Sequence, residues 1–172
     1  TVTAFGSATF DITLDNDIFE YDGTKKEPVA TVKVGNNTLV SGEDYEVIYT
    51  NNKNAGEATV TIKGIGNYEG SSGTDNFNIE KRAIELTAGN ATKAYDGSAL
   101  TSDEVNITSG SLAAGQTLTA TTSGSITNVG TVANTVATYK ISHGEEDVTG
   151  NYTVTTVAGT LEITKGSFDA SV

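Results

Sequence analysis

Apolar and polar residues alternate with period two along much of this chain. Ala58, Val60 and Ile62 interleave with Thr59, Thr61 and Lys63. Tyr45, Val47 and Tyr49 interleave with Glu46, Ile48 and Thr50, and Phe77 and Ile79 with Asn78 and Glu80. Successive side chains of a strand point to opposite faces, so this pattern predicts half-buried strands, and the β-branched content agrees. No segment keeps a 3.6-residue period over three turns. The best helical candidate, residues 100–106, is brief and has no counterpart earlier in the chain. One run breaks phase: Val132 and Val136 agree with each other but not with Ala137, Tyr139 and Ile141, which predicts a bulge.

Order at a longer scale comes from repetition. Tyr21-Asp22-Gly23 returns as Tyr95-Asp96-Gly97, and Asn54-Ala55-Gly56 returns at the same spacing as Asn128-Val129-Gly130. Gly66-Asn67-Tyr68 returns at a longer spacing as Gly150-Asn151-Tyr152, and Phe77, Ile79 and Lys81 fall on Leu161, Ile163 and Lys165 at that same longer spacing. An insertion of 10 residues between Gly130 and Gly150 reconciles the two spacings. Phe10 and Ile12 match Ile84 and Leu86 at the shorter one. Phe168 follows Ile84 at the longer one, where a third copy is expected to start.

These repeats predict an all-β chain of two tandem immunoglobulin-like β-sandwich modules, residues 9–82 and 83–165, with 166–172 a linker or the start of a truncated third repeat. A β-grasp arrangement is the alternative, and it needs a helix. The junction Glu80-Lys81-Arg82-Ala83 holds no Gly or Ser, which predicts a stiff joint and an elongated pair.

Composition narrows the function. The chain has 172 residues, no Cys, no Met and no Trp, so disulfides and thiolate metal sites are excluded, and residue 1 reads as a processed or chosen start. Residues 1–172 hold no signal-peptide pattern and no run of 18 or more apolar residues, and a fragment of an exported protein would also lack them. The net charge is −12, with −6 in each of residues 1–82 and 83–172. Phosphate binding needs clustered Lys and Arg, so nucleic acid and anionic membrane are not expected partners.

The segments Ala91-Thr92-Lys93-Ala94-Tyr95-Asp96-Gly97-Ser98-Ala99-Leu100, Thr127-Asn128-Val129-Gly130, Asp147-Val148-Thr149-Gly150-Asn151-Tyr152 and Gly159-Thr160-Leu161-Glu162-Ile163 resemble the MBG/YDG repeats of bacterial cell-surface adhesins. In the first half, Glu43-Asp44-Tyr45 and Tyr49-Thr50-Asn51-Asn52-Lys53-Asn54-Ala55-Gly56 are similar to a related immunoglobulin-like repeat of bacterial surface proteins. The resemblance implies an extracellular, cell-surface or cell-wall-attached stalk module. It leaves recognition of host glycans or extracellular proteins to other domains.

Several residues suggest chemistry, each beside a plainer reading. Asp22 and Asp96 carry oxygens suited to calcium, but Tyr-Asp-Gly also reads as a strand end, with Tyr inward and Gly supplying a positive φ. Tyr68 and Tyr152 suit a corner tyrosine bonded to backbone, or else a sugar-stacking aromatic. His143, the one histidine, sits in Ser142-His143-Gly144-Glu145-Glu146-Asp147, which reads as an exposed hairpin of the insertion rather than a nucleophile and base. Its acids, like Asp15-Asn16-Asp17, lack the spacing of a calcium loop. Lys33, Lys63 and Lys93 are candidates for a Lys–Asn side-chain amide that would replace a disulfide. No catalytic, cofactor-binding or metal residue is assigned, and no cofactor. The expectation is a non-catalytic, monomeric stalk module. The alternative is a module that binds carbohydrate or host glycoprotein, with residues 142–151 as its extra loop.

Overall fold

The computed structural model describes residues 7–167, so the expected third copy beginning at Phe168 lies outside the described residues. The fold is all-β and sandwich-type. Among the described residues the only helical turns are Gly66–Tyr68 and Thr149–Asn151, so the helix on which a β-grasp depends is absent there. The weak helical candidate at residues 100–106 instead forms a bridge from Leu100 to Ile126 and enters a strand at Val105. No helix is long and apolar enough to cross a membrane among these residues. The chain divides into two compact units between Lys81 and Arg82.

The first unit contains β1 (Asp11–Leu14), β2 (Ile18–Glu20), β3 (Ala30–Val34), β4 (Asn37–Thr38), β5 (Tyr45–Thr50), β6 (Gly56–Gly64) and β7 (Ser72–Glu80). They form two sheets, ordered β1-β3-β4 and β2-β7-β6-β5. The alternation places Ala58, Val60 and Ile62 of β6 in the core, each fully buried, with Phe77 and Ile79 beside them on β7. Val32 and Leu39 bring apolar surface from the other sheet, and the Tyr45 hydroxyl donates to the Ala30 carbonyl at 3.2 Å.

The opening strand of this unit changes sheets. β1 pairs antiparallel with β3, while β2 pairs parallel with β7. The break falls at Asp15-Asn16-Asp17. There Asp15 Oδ1 accepts the Val29 N–H at 2.8 Å and Asn16 Oδ1 accepts the Ile18 N–H at 3.3 Å. Short polar side chains of this kind stand in for ladder bonds and let a chain turn off a sheet.

The second unit contains β8 (Arg82–Ala88), β9 (Ala91–Ala94), β10 (Val105–Ser109), β11 (Thr117–Thr122), β12 (Gly130–Asn134), β13 (Val136–His143), β14 (Glu146–Asp147), β15 (Tyr152–Val157) and β16 (Gly159–Thr164). Its sheets run β10-β8-β15, β11-β13-β14 and β12-β16-β9. Ile84, Leu86, Ile141, Leu161 and Ile163 form its core. The opening strand again changes sheets, at Gly89-Asn90, where Asn90 Oδ1 accepts the Thr160 N–H at 2.7 Å. Here the closing strand turns with it. β15 pairs parallel with β8 and β16 with β9, and a single register holds from Arg82 with Tyr152 to Ala94 with Thr164. The two bends touch. A Cβ on Gly159 would stand 2.3 Å from the Gly89 carbonyl oxygen, so a residue with any side chain would push the ribbons apart.

The phase slip around Val136 has two parts. β11 and β13 shift register so that Ala137 is left between the Thr138 and Val136 pairs, which is the expected bulge. The chain also changes partner at Thr135: β12 pairs with β16 and β13 with β11. The run is therefore two strands. Its only buried residue before the break is Asn134.

Candidate functional site

The two Tyr-Asp-Gly turns are built alike. Gly23 and Gly97 both sit at φ 81, the left-handed region that glycine enters without strain. Asp22 Oδ1 accepts the Thr24 N–H at 2.9 Å and its hydroxyl at 2.6 Å; Asp96 Oδ1 accepts the Ser98 N–H at 2.9 Å and its hydroxyl at 2.7 Å. A lysine closes each carboxylate, Lys26 Nζ at 2.5 Å from Asp22 and Lys93 Nζ at 2.8 Å from Asp96. Partial burial pushes the Asp22 carboxyl up, but hydrogen bonds from Lys26 and Thr24 outweigh it and hold the group at about 2. The Lys93 ammonium, with the Ser98 bonds, keeps Asp96 well below the usual carboxylate range. Both acids thus serve as turn locks with a lysine counter-charge where a calcium ion would have to sit.

The tyrosines of these turns differ. Tyr21 is buried, as a strand-end tyrosine should be, whereas Tyr95 is 50% exposed. The expectation that both pack inward fails at Tyr95. The backbone role is common to both: the Tyr21 N–H donates to the Glu80 carbonyl and the Tyr95 N–H to that of Thr164, each 2.9 Å long. Backbone pairing, not side-chain burial, holds Tyr95 in place.

Tyr152 is buried, and its hydroxyl accepts the Ala113 N–H at 2.8 Å and donates to Gln116 Oε1 at 2.6 Å. That is the corner-tyrosine arrangement, and it leaves no ring face for a sugar. Tyr68 is half-buried and meets Phe10 edge-on, centroids 6.3 Å apart.

Ser142 and His143 are consecutive on β13, so their side chains leave opposite faces and do not form a nucleophile–base pair. His143 pairs across a tight hairpin with Glu146, through the exposed turn Gly144-Glu145. Asp147 accepts the Thr149 N–H at 3.0 Å, and bonds from Thr149 lower its carboxyl. Only the tip of the insertion is a loop. Val148, just past that hairpin, is 4% exposed and lies in the core.

Asp15 and Asn16 are occupied at the first strand crossover, as described above. Lys33 and Lys63 are exposed on their strands, and Lys93 Nζ is held by Asp96, Ser98 and Ala99. Among the described residues no group of three His, Asp or Glu side chains could hold a metal ion.

The alternation pattern gives no sign of the most constrained polar residue. Asn134 occupies the place of Val60 in the first unit, counted from the shared glycines, and is fully buried. Its Nδ2 donates to the carbonyls of Gly89 at 3.0 Å and Ser102 at 2.9 Å, and its Oδ1 accepts the Gly124 N–H at 3.0 Å. Every bond is to backbone, so the residue anchors three chain segments and leaves nothing for a ligand. No family model matches the chain, no curated protein matches it, and no solved structure matches its fold.

Proposed function

We propose that the chain is a non-catalytic, extracellular repeat segment from the stalk of a bacterial surface adhesin, built of two tandem modules. One observation carries the reading. In each unit the first and last strands run parallel, so the chain comes in at one end of the unit and leaves at the other. In the first unit Ala8 donates to Ser71 Oγ just before β7, and Tyr21 bonds Glu80 at the end of that strand. The separation is about 30 Å at roughly 3.3 Å per residue. The second unit keeps the same polarity from Arg82 to Thr164. Units with this polarity can be joined head to tail without a return loop, and length then follows copy number. The repeated turn locks support the same reading, since they stabilise each copy locally.

Small-angle scattering on one, two and four tandem copies of residues 7–167 tests it. The longest dimension is expected to rise in proportion to copy number. Growth along the compact scaling of a globular domain, about the 0.38 power of chain length, sinks the proposal.

The glycan-binding alternative has one observation in its favour, the half-exposed Tyr95 beside a lysine-bearing turn. Saturable binding to a glycan or mucin panel that disappears in Tyr95→Ala would establish it; silence across the panel leaves the stalk reading in place.

A further inference from the structure

We propose that the two units are shear clamps of unequal strength, and that under tension residues 8–80 give way before residues 82–164. The inference rests on strand pairing alone, so it survives or fails independently of the stalk reading.

A force applied at the two ends of a unit pulls its first strand backward along its own axis and its last strand forward. Where those strands are hydrogen-bonded in parallel, the bonds lie across the force and are loaded together. No end of the ladder can open alone, as it would in a hairpin peeled from its tips. Resistance then depends on how many pairs must slide in concert.

The units differ sharply on that measure. In the first, β2 and β7 share three registered pairs, Ile18 with Asn78 through Glu20 with Glu80, after the opening strand has crossed from the other sheet. The second side of that opening strand is held by the four β1–β3 pairs. In the second unit six β8–β15 pairs and four β9–β16 pairs continue in one register through the bend. β8 is gripped on its far side by β10 as well. The bend itself is locked: Asn90 bonds Thr160, Asn134 bonds Gly89, and the Gly159 backbone sits against the Gly89 carbonyl. Sliding the ribbon by one position would drive Ala158 or Thr160, each with a Cβ, into that contact. The first unit's crossover is held by the paired Asp15–Val29 bonds, by Asn16 and by one backbone bond from Asn78 of β7 to the Asp17 carbonyl, and β7 does not bend with it.

Forced unfolding reads the unfolding barrier rather than the equilibrium free energy, so the order need not follow denaturant stability. The test is single-molecule stretching of the chain by its ends, with each unit marked in turn. Twenty Gly/Ser residues placed in the exposed Gly144-Glu145 turn lengthen the release from the second unit by about 70 Å, at up to 3.6 Å per residue. The same insert in the exposed Gly35-Asn36 turn marks the first unit, and both sites are turn tips that tolerate insertion. The insert at 35–36 is expected to lengthen the lower-force event and the insert at 144–145 the higher-force event. The reverse assignment, or equal rupture forces, overturns the proposal.

Discussion

Asn134 donates its side-chain amide to the Gly89 carbonyl 3.0 Å away, tying one strand break to another far earlier in the chain. Replacement by alanine removes that bond and the Gly124 contact, while Ser102 O keeps its 2.7 Å bond from Thr122. A buried backbone group deprived of its partner costs about 1–3 kcal/mol. By that measure Asn134→Ala should lower the stability of the second unit by about 2–6 kcal/mol. Urea unfolding followed by amide exchange should show the loss in residues 82–164 and leave the first unit unchanged.

Tyr21 and Tyr95 occupy the same place in the same motif with opposite burial. Tyr21→Ala opens a core cavity and should cost about 3–5 kcal/mol, in line with large aromatic truncations. Tyr95→Ala should stay within about 0.5 kcal/mol, as exposed substitutions do. Thermal melts of the two variants give the comparison; similar losses would mean that Tyr95 is buried in solution.

The Asp22 carboxyl is held at about 2, below its ordinary 3.8. A lowered carboxyl stabilises the fold above its unfolded-state value and loses that contribution as pH falls through the folded value. The window is therefore from about pH 4 down to about pH 2. The Asp22 side chain is 45% exposed, so the stabilisation is small and salt-screened. Carbon-detected NMR titration should place the Asp22 midpoint at about 2 in the native chain and closer to 3.8 in Lys26→Ala.

Gly159→Ala places a methyl group against the carbonyl oxygens of Ala88 and Gly89, at 2.4 and 2.3 Å. Backbone cannot swing aside as a side chain can, so the loss should reach the upper end of overpacking penalties, about 3 kcal/mol or more. Circular dichroism melts should show it. Gly150→Ala, where nothing stands within 4 Å, serves as the neutral control.

Strand identity was legible wherever one face is buried, because Val60 and Ile62, or Phe77 and Ile79, must alternate with solvent-facing neighbours. Turn chemistry was legible too: the Asp-Gly pairs at 22–23 and 96–97 encode a positive φ by themselves. Partner choice was not. Whether β12 continues into β13 or breaks depends on Asn134 reaching Gly89 and Ser102, distant contacts along the chain that no local period records. The exposure of Tyr95 was hidden for a related reason. Its motif fixes the turn and the backbone bond, while burial depends on what the rest of the unit lays over the ring.

The pairing of Arg82 with Tyr152, kept in one register through to Ala94 with Thr164, also sets a clock. At a synthesis rate of about 5–20 residues per second, β8 waits about 4–14 s for the strand that completes its sheet. The antiparallel β8–β10 pair is complete once Ser109 has been made and must then wait for Tyr152. The β13–β14 hairpin, which can close in microseconds, ends only shortly before Tyr152. The second unit is therefore finished by its last residues made, and until they arrive its opening strand is an unsatisfied edge available to any other chain nearby.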